Sequence, residues 1–333
     1  MNMNPAHIPA VRRWLLTVMA LIVVMVGVGG TTRLTESGLS IVEWKLVSGI
    51  LPPMSDAAWQ AEFRDYQTSP QFQKVNRNFT VADFQRIYWL EYIHRLIGRL
   101  VGMVILLPFL YFAARRMLSP AMLKRGTLLF VLVAAQGAVG WLMVASGLVD
   151  QPRVAPIKLA AHLSLAFVFF LVTLWTYWQL GEARPSPAPR GVAWSARFVS
   201  LLIFIQIVFG ALVAGLRAGL TYNTWPLMDG QFIPGGLQLF SASNVLTVQF
   251  QHRMGALMVA AAVLLFVAYG WRRVPNKQPL KWLLATVTLQ FALGVATLLS
   301  VVAVPIAVAH QLCALLLLGS SLWAMKTYGF TKA

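Results

Sequence analysis

Eight runs of apolar residues carry almost no charge: about 14–32, 96–114, 126–146, 159–180, 198–216, 254–271, 282–303 and 305–325. Each is close to the ~20 residues a helix needs to cross a bilayer at ~1.5 Å per residue. Hydrocarbon offers no hydrogen-bond partner, so each run must satisfy its own backbone as a helix. The last two runs form one uncharged stretch from Trp282 to Met325, too long for one span, and Pro305 supplies the break. Of the 333 residues, 58% are hydrophobic and 11% charged, more apolar surface than a soluble domain can bury. The expected fold is all-α and integral to the membrane, with eight transmembrane helices.

Charge orients the helices. The net charge of +17 would suit a nucleic-acid binder, but the cations cluster in short loops between apolar runs. That is the pattern of topology determinants, so no nucleic-acid partner is expected. Five segments share one side: the N-terminus, 115–125, 181–197, 272–281 and the C-terminus. Together they carry 15 of the 27 cations, including Arg184 and Lys332, against a single acid, Glu182. The opposite side carries 12 cations and nine acids. The positive-inside rule therefore predicts that both termini are cytoplasmic. No small-residue cleavage site ends the first run before Arg33, so a cleavable signal is not expected and a bacterial inner-membrane protein is. A single cysteine, Cys313, excludes an intramolecular disulfide and a cysteine-based metal cage.

The halves of the chain echo each other. Gln136-Gly137-Ala138-Val139-Gly140 matches Gln290-Phe291-Ala292-Leu293-Gly294, and His94-Arg95 matches His252-Arg253. Lys158-Leu159-Ala160-Ala161-His162 matches Ala307-Val308-Ala309-His310. Parallel repeats follow, predicting two pseudo-symmetric four-helix bundles over 1–180 and 181–333. The first half alone has a long outer loop, 33–90; this loop, with Glu91 just beyond it, holds seven of the ten acids. Within it, Ser55 to Tyr66 reads as a short interfacial helix with Trp59, Phe63 and Tyr66 on one face. Thr80-Val81-Ala82-Asp83 reads as a capping box opening a helix that runs into the second span.

Four of the five histidines lie in alternate apolar segments at one depth: His94, His162, His252 and His310. Counting to the inner boundary places three of them ~30 Å and His310 ~24 Å from it, in the outer third of the membrane. An ionisable group there is costly and marks function. No carboxylate pair or thiolate accompanies them, which disfavours zinc. One imidazole from each of two facing helices fits the axial ligands of haem iron, one pair per half.

Glu91 stands one turn before His94, where a carboxylate can act as base or stabilise positive charge, or simply pair with Arg95 or Arg99. The second half has Gln249 at the matching place. Arg95 and Arg253 each follow a histidine, and they suit haem propionates or, equally, lipid headgroups.

Long words of the sequence extend this reading. Thr32-Arg33-Leu34-Thr35-Glu36-Ser37-Gly38-Leu39-Ser40, Glu43-Trp44-Lys45, Gly49-Ile50-Leu51-Pro52-Pro53 and Glu91-Tyr92-Ile93-His94-Arg95 resemble haem A synthase. So does Tyr222-Asn223-Thr224-Trp225-Pro226-Leu227-Met228-Asp229-Gly230. The likeness is to the mitochondrial and proteobacterial branch of that family; the chain lacks the outer-loop cysteine pairs of another bacterial branch. The resemblance implies an oxidoreductase that converts the C8 methyl of haem O to a formyl group, with oxygen derived from water. It makes haem A for terminal oxidases. It implies that His94 and His162 hold the substrate haem, with Glu91 in the reactive pocket. By the same resemblance His252 and His310 ligate a haem b near the periplasmic side. Haem O would be handed over by haem O synthase, and electrons would pass to an acceptor that the sequence does not name. Homo-oligomerisation stays open. With two histidines on the iron, either one dissociates or the methyl loses electrons and water attacks; Glu91 suits the second route.

Three other classes compete. A trans-membrane electron carrier needs haems at both faces, and here all four histidines share one. A transporter usually places charged sites and broken helices near the midplane. A haem chaperone would bind haem without changing it.

Overall fold

The computed structural model describes residues 3–44, 48–181, 186–239 and 241–329. Lys45 of the second word, and Glu182, Arg184 and Lys332 of the charge count, lie outside the described residues. Among the described residues the elements are helices: α1 (Ile8–Leu34), α2 (Asp56–Gln67), α3 (Pro70–Lys74), α4 (Val81–Ala114) and α5 (Pro120–Ala145), then α6 (Pro156–Gln179), α7 (Arg190–Leu216), α8 (Val245–Trp271), α9 (Gln278–Leu299) and α10 (Val304–Thr327). Eight of them are long and apolar enough to cross a membrane. α2 and α3 are the two that are not.

Sequence chemistry explains most of the boundaries. Ser119 and Asn244 cap α5 and α8 by accepting main-chain N–H bonds, and proline stands in the first turn of α5, α6, α9 and α10. Between α9 and α10 the chain reverses through Val301 and Val302, both left-handed at φ 52° and 61°. β-branched residues seldom adopt that region. Pro305, in the first turn of α10, prevents α9 from simply continuing.

The chain forms two compact units, Met1–Leu180 and Gly181–Ala333. In the first, α1 packs on α4, α4 on α5, α5 on α6 and α6 back on α1, closing a ring of four helices. Trp14 Nε1 donates to Val104 O at 2.8 Å, tying α1 to α4, and Arg125 Nη1 donates to Thr176 Oγ1 at 3.3 Å, tying α5 to α6. The second unit closes in the same order through α7, α8, α9 and α10. In each ring the first and third helices are diagonal to one another, as are the second and fourth.

The second span begins well before residue 96. α4 starts at Val81 from a complete capping box: Thr80 Oγ1 accepts from the Asp83 N–H, and Asp83 Oδ2 accepts from the Thr80 N–H at 3.0 Å. Its first turns carry Phe84, Tyr88 and Tyr92, which form an aromatic cluster with Phe63 and Tyr66 of α2. The face of α2 that sequence pattern assigns to a membrane interface is thus covered by the protein's own α4. Trp59 meets Tyr88 edge-on with centroids 5.0 Å apart, and Tyr66 stacks on Phe84 at 5.1 Å. Such ring pairs add ~0.5–1.5 kcal/mol each beyond area burial.

Phe84 is fully buried and touches Trp59, Phe63, Tyr66 and Tyr88. Phe84→Ala is expected to cost about 3–5 kcal/mol. Limited proteolysis checks this: residues 55–76 should become cleavable while the transmembrane helices stay protected.

Candidate functional site

The four histidines of the membrane segments occupy matched places. His94 is on α4 and His162 on α6, diagonal helices of the first ring; His252 is on α8 and His310 on α10, diagonal helices of the second. All four residues are half-buried.

Each ring lies against a glycine of the helix before it. A Cβ on Gly29 would stand 2.9 Å from His94 Cε1, and one on Gly140 2.9 Å from His162 Cε1. The same test gives 3.0 Å from Gly210 to His252 Cε1 and 3.0 Å from Gly294 to His310 Cε1. Any side chain at these positions would displace the imidazole. Small residues let membrane helices approach closely; here the approach seats a ring edge on the neighbouring backbone. The glycine is near the C-terminal end of α1, α5, α7 and α9 in turn. The sequence hinted at this in the Gln136–Gly140 and Gln290–Gly294 echo, but Gln206-Ile207-Val208-Phe209-Gly210 is a third copy and Gly29 a fourth cradle.

Glutamine accompanies three of the four. Gln206 Nε2 donates to His252 O at 2.8 Å and lies 2.9 Å from His252 Nδ1. Gln136 Nε2 donates to His162 O at 3.1 Å and lies 3.3 Å from its Nδ1. Gln290 Nε2 lies 3.4 Å from His310 Nε2. The Oε1 of all three glutamines is buried without a hydrogen-bond partner, as are His94 Nδ1 and His310 Nδ1. Buried polar atoms left unpaired are costly, and these five lie around the two histidine pairs.

The neighbours of His94 are not free. Glu91 is buried, and its Oε2 accepts from Ser40 N at 2.7 Å, Ser40 Oγ at 2.7 Å and Ile41 N at 2.9 Å. Its Oε1 accepts from Arg95 Nε at 3.0 Å and Nη2 at 2.6 Å. Arg95 also donates to Ile41 O and Glu43 O and lies over the Trp44 ring. The Thr32–Ser40 word therefore forms the end of α1 and delivers Ser40 and Ile41 to Glu91. Tyr92 Oη reaches Ile50 O at 2.6 Å, fixing the Gly49–Pro53 word too.

The second unit repeats this with different chemistry. Arg253 donates to Thr224 O at 2.8 Å and Tyr222 O at 2.7 Å, and Gln249 Nε2 donates to Tyr222 O at 3.0 Å. So the Tyr222–Gly230 word docks on Arg253 as residues 40–44 dock on Arg95. A glutamine donates to its loop where Glu91 accepts from its own. Pairing of Glu91 with Arg95 was legible from their spacing; burial of the pair, and the part of Ser40, was not.

No group of three or more histidine, cysteine, aspartate or glutamate side chains able to hold a bare metal ion occurs among the described residues. Two histidines per unit suit a metal whose other ligands come from a macrocycle. Fold and site together define a multi-pass membrane protein with a paired-histidine site in each of two helical units. A family model described as cytochrome oxidase assembly protein, COX15-CtaA, matches residues 12–322. A protein named "Heme A synthase" from Bradyrhizobium diazoefficiens is 47% identical over 319 residues, covering 93% of this chain and 89% of that one. Its namesake from Parvibaculum lavamentivorans is 44% identical over 325 residues, covering 94% and 93%. One from Granulibacter bethesdensis is 45% identical, covering 94% and 85%. The chain belongs to the COX15-CtaA family.

Arg95→Ala would leave the Glu91 carboxylate buried with its cation gone. An orphaned buried charge typically costs about 3–5 kcal/mol. Thermal unfolding in detergent should show that loss for Arg95→Ala, and the Glu91→Gln/Arg95→Ala double variant should regain part of it.

Proposed function

We infer that the chain is a haem A synthase, an enzyme of haem A biosynthesis that oxidises the C8 methyl of haem O to a formyl group. The reading rests on relatives of that name across more than nine-tenths of the chain. The observation that carries it is the set of diagonal histidine pairs, each ring seated on a glycine. A methyl becomes a formyl by taking up one water and releasing four protons and four electrons. An electron acceptor, a partner outside this chain, must take the electrons. Bound haem supplies the redox-active iron.

His94 and His162 hold the substrate haem in the unit 1–180, and His252 and His310 hold a haem b in the unit 181–333. The asymmetry beside the histidines supports that division. Glu91 puts one negative charge a turn from His94, and Gln249 puts none beside His252. With donors on both its oxygens, Glu91 is a positioning residue and a fixed charge rather than a free base. It favours positive charge developing nearby and holds Ser40 and Ile41 of the outer loop in place. Arg95 and Arg253 act first through the loops they bind. Arg253 keeps Nε buried and unpartnered, a donor suited to a haem propionate. In a bacterial inner membrane, the charge distribution puts both termini in the cytoplasm and the histidines toward the periplasm. Haem O, membrane-embedded like the enzyme, would arrive from haem O synthase.

Haem extracted from cells making haem O, with and without this protein, tests the reading by chromatography. Haem A, or a hydroxylated intermediate, is the expected product. Unchanged haem O beside a folded, haem-loaded protein would instead indicate an electron carrier or chaperone.

A further inference from the structure

The two units leave different room beside a histidine. The word that seats His162 on α5 is Gln136-Gly137-Ala138-Val139-Gly140; the word that seats His310 on α9 is Gln290-Phe291-Ala292-Leu293-Gly294. They share the glutamine, the alanine and the seating glycine. At the second position the smallest residue stands where the other unit has a phenyl ring. Gly137 is exposed, and a Cβ built on it would meet nothing among the described residues within 4 Å. It lies within one turn of Gly140 and next to Gln136, which touches His162. α4, which packs on α5, is cut back as well. Gly102 likewise meets nothing within 4 Å, and Ala260 stands at the matching distance from His252 in α8.

Phe291 shows which way the position looks. Its ring meets Trp225 edge-on, with centroids 5.7 Å apart. Trp225 directly follows Thr224, whose carbonyl accepts from Arg253, the neighbour of His252. The position therefore looks toward the loop that Arg253 holds. Trp44 has the same place in the loop of the first unit: it directly follows Glu43, whose carbonyl accepts from Arg95. Its ring lies instead against the Arg95 guanidinium, 5.0 Å from the centroid, and the residue stays 42% exposed. The second unit thus has an aromatic pair where the first has a glycine and a tryptophan drawn aside.

Haem b and haem O share a macrocycle, but haem O carries a long isoprenoid chain in place of a vinyl group. A site for haem O needs an apolar way out for that chain, and a site for haem b does not. α5 is apolar and long enough to span the membrane, so an exposed glycine on it opens toward hydrocarbon, a good solvent for such a chain.

We propose that the opening beside Gly137 takes the isoprenoid chain of the substrate haem, and that Phe291 with Trp225 denies a chain-bearing haem the second unit. Gly137 and Phe291 are specificity-determining residues, remote from the reacting methyl: they sort the two haems between two otherwise similar histidine pairs by excluding the wrong one. The proposal deepens the haem A synthase reading above and rests on it.

Haems extracted from the purified full-length protein, made in cells that supply both haem O and haem b, test it by chromatography. The wild type should carry haem b and a chain-bearing haem, either haem O or its oxidised products. Gly137→Phe should lower the chain-bearing haem relative to haem b by about tenfold or more, the scale on which apolar pockets discriminate by size. The wild-type ratio in that variant overturns the proposal. Phe291→Gly is then placed in the His94→Ala/His162→Ala protein, whose remaining haem is that of the second unit. Chain-bearing haem should appear there, a gain that damage to the first unit could not produce; haem b alone overturns the proposal. This variant also decides the matter if Gly137→Phe loses both haems. A wild type holding haem b alone overturns the proposal where the cells still make haem A, and sinks the haem A synthase reading itself where they make none.

Discussion

Seating an imidazole edge on a glycine backbone is the contact from which the site follows. It occurs once for each of these histidines, toward the C-terminal end of α1, α5, α7 and α9, with Gly29, Gly140, Gly210 and Gly294 as the four seats. A ring pressed against the neighbouring helix backbone has little freedom to turn. The cost is a polar ring in an apolar layer: a glutamine lies beside three of the rings, and the Nδ1 atoms of His94 and His310 are buried without a hydrogen-bond partner. The surrounding bundle can be ordinary, because tight approach is needed only at those four places.

Around this common plan the first unit is specialised. Both units use the arginine after a histidine to hold the loop leaving their first helix, through main-chain carbonyls in each case. Only the first adds a carboxylate, and a buried carboxylate demands donors. Ser40, Ile41 and Arg95 supply them, which explains why the Thr32–Ser40 segment must arrive in one conformation. The aromatic cluster of α2 and α4 then fastens the remainder of the long loop. A charge next to His94 sets this unit apart from its partner, which has Gln249 at the matching place.

Much of this was readable before any coordinates. Hydrocarbon imposes length and apolarity on a spanning helix, so all eight appeared as runs; capping chemistry announced α4 at Thr80, and Pro305 announced the last break. The start of α4 was misjudged by apolarity alone because its first turns lie among the protein's own aromatics and need not be uncharged. Other features were hidden by distance. Ser40 and Glu91 are 51 residues apart, and no local pattern links them. The glutamine-to-glycine spacing stood out twice in the sequence, and packing shows that a third copy, Gln206 and Gly210, lies against His252 and that Gly29 seats His94 without it.

The central claim is that each unit binds one haem between its own pair of histidines. Haem per polypeptide, measured on the purified protein by pyridine haemochrome assay, tests this most directly. The account predicts two haems for the wild type, one for His94→Ala/His162→Ala and one for His252→Ala/His310→Ala, each in a folded protein. A wild-type value of one, or a double variant of either unit that keeps both haems, would contradict it.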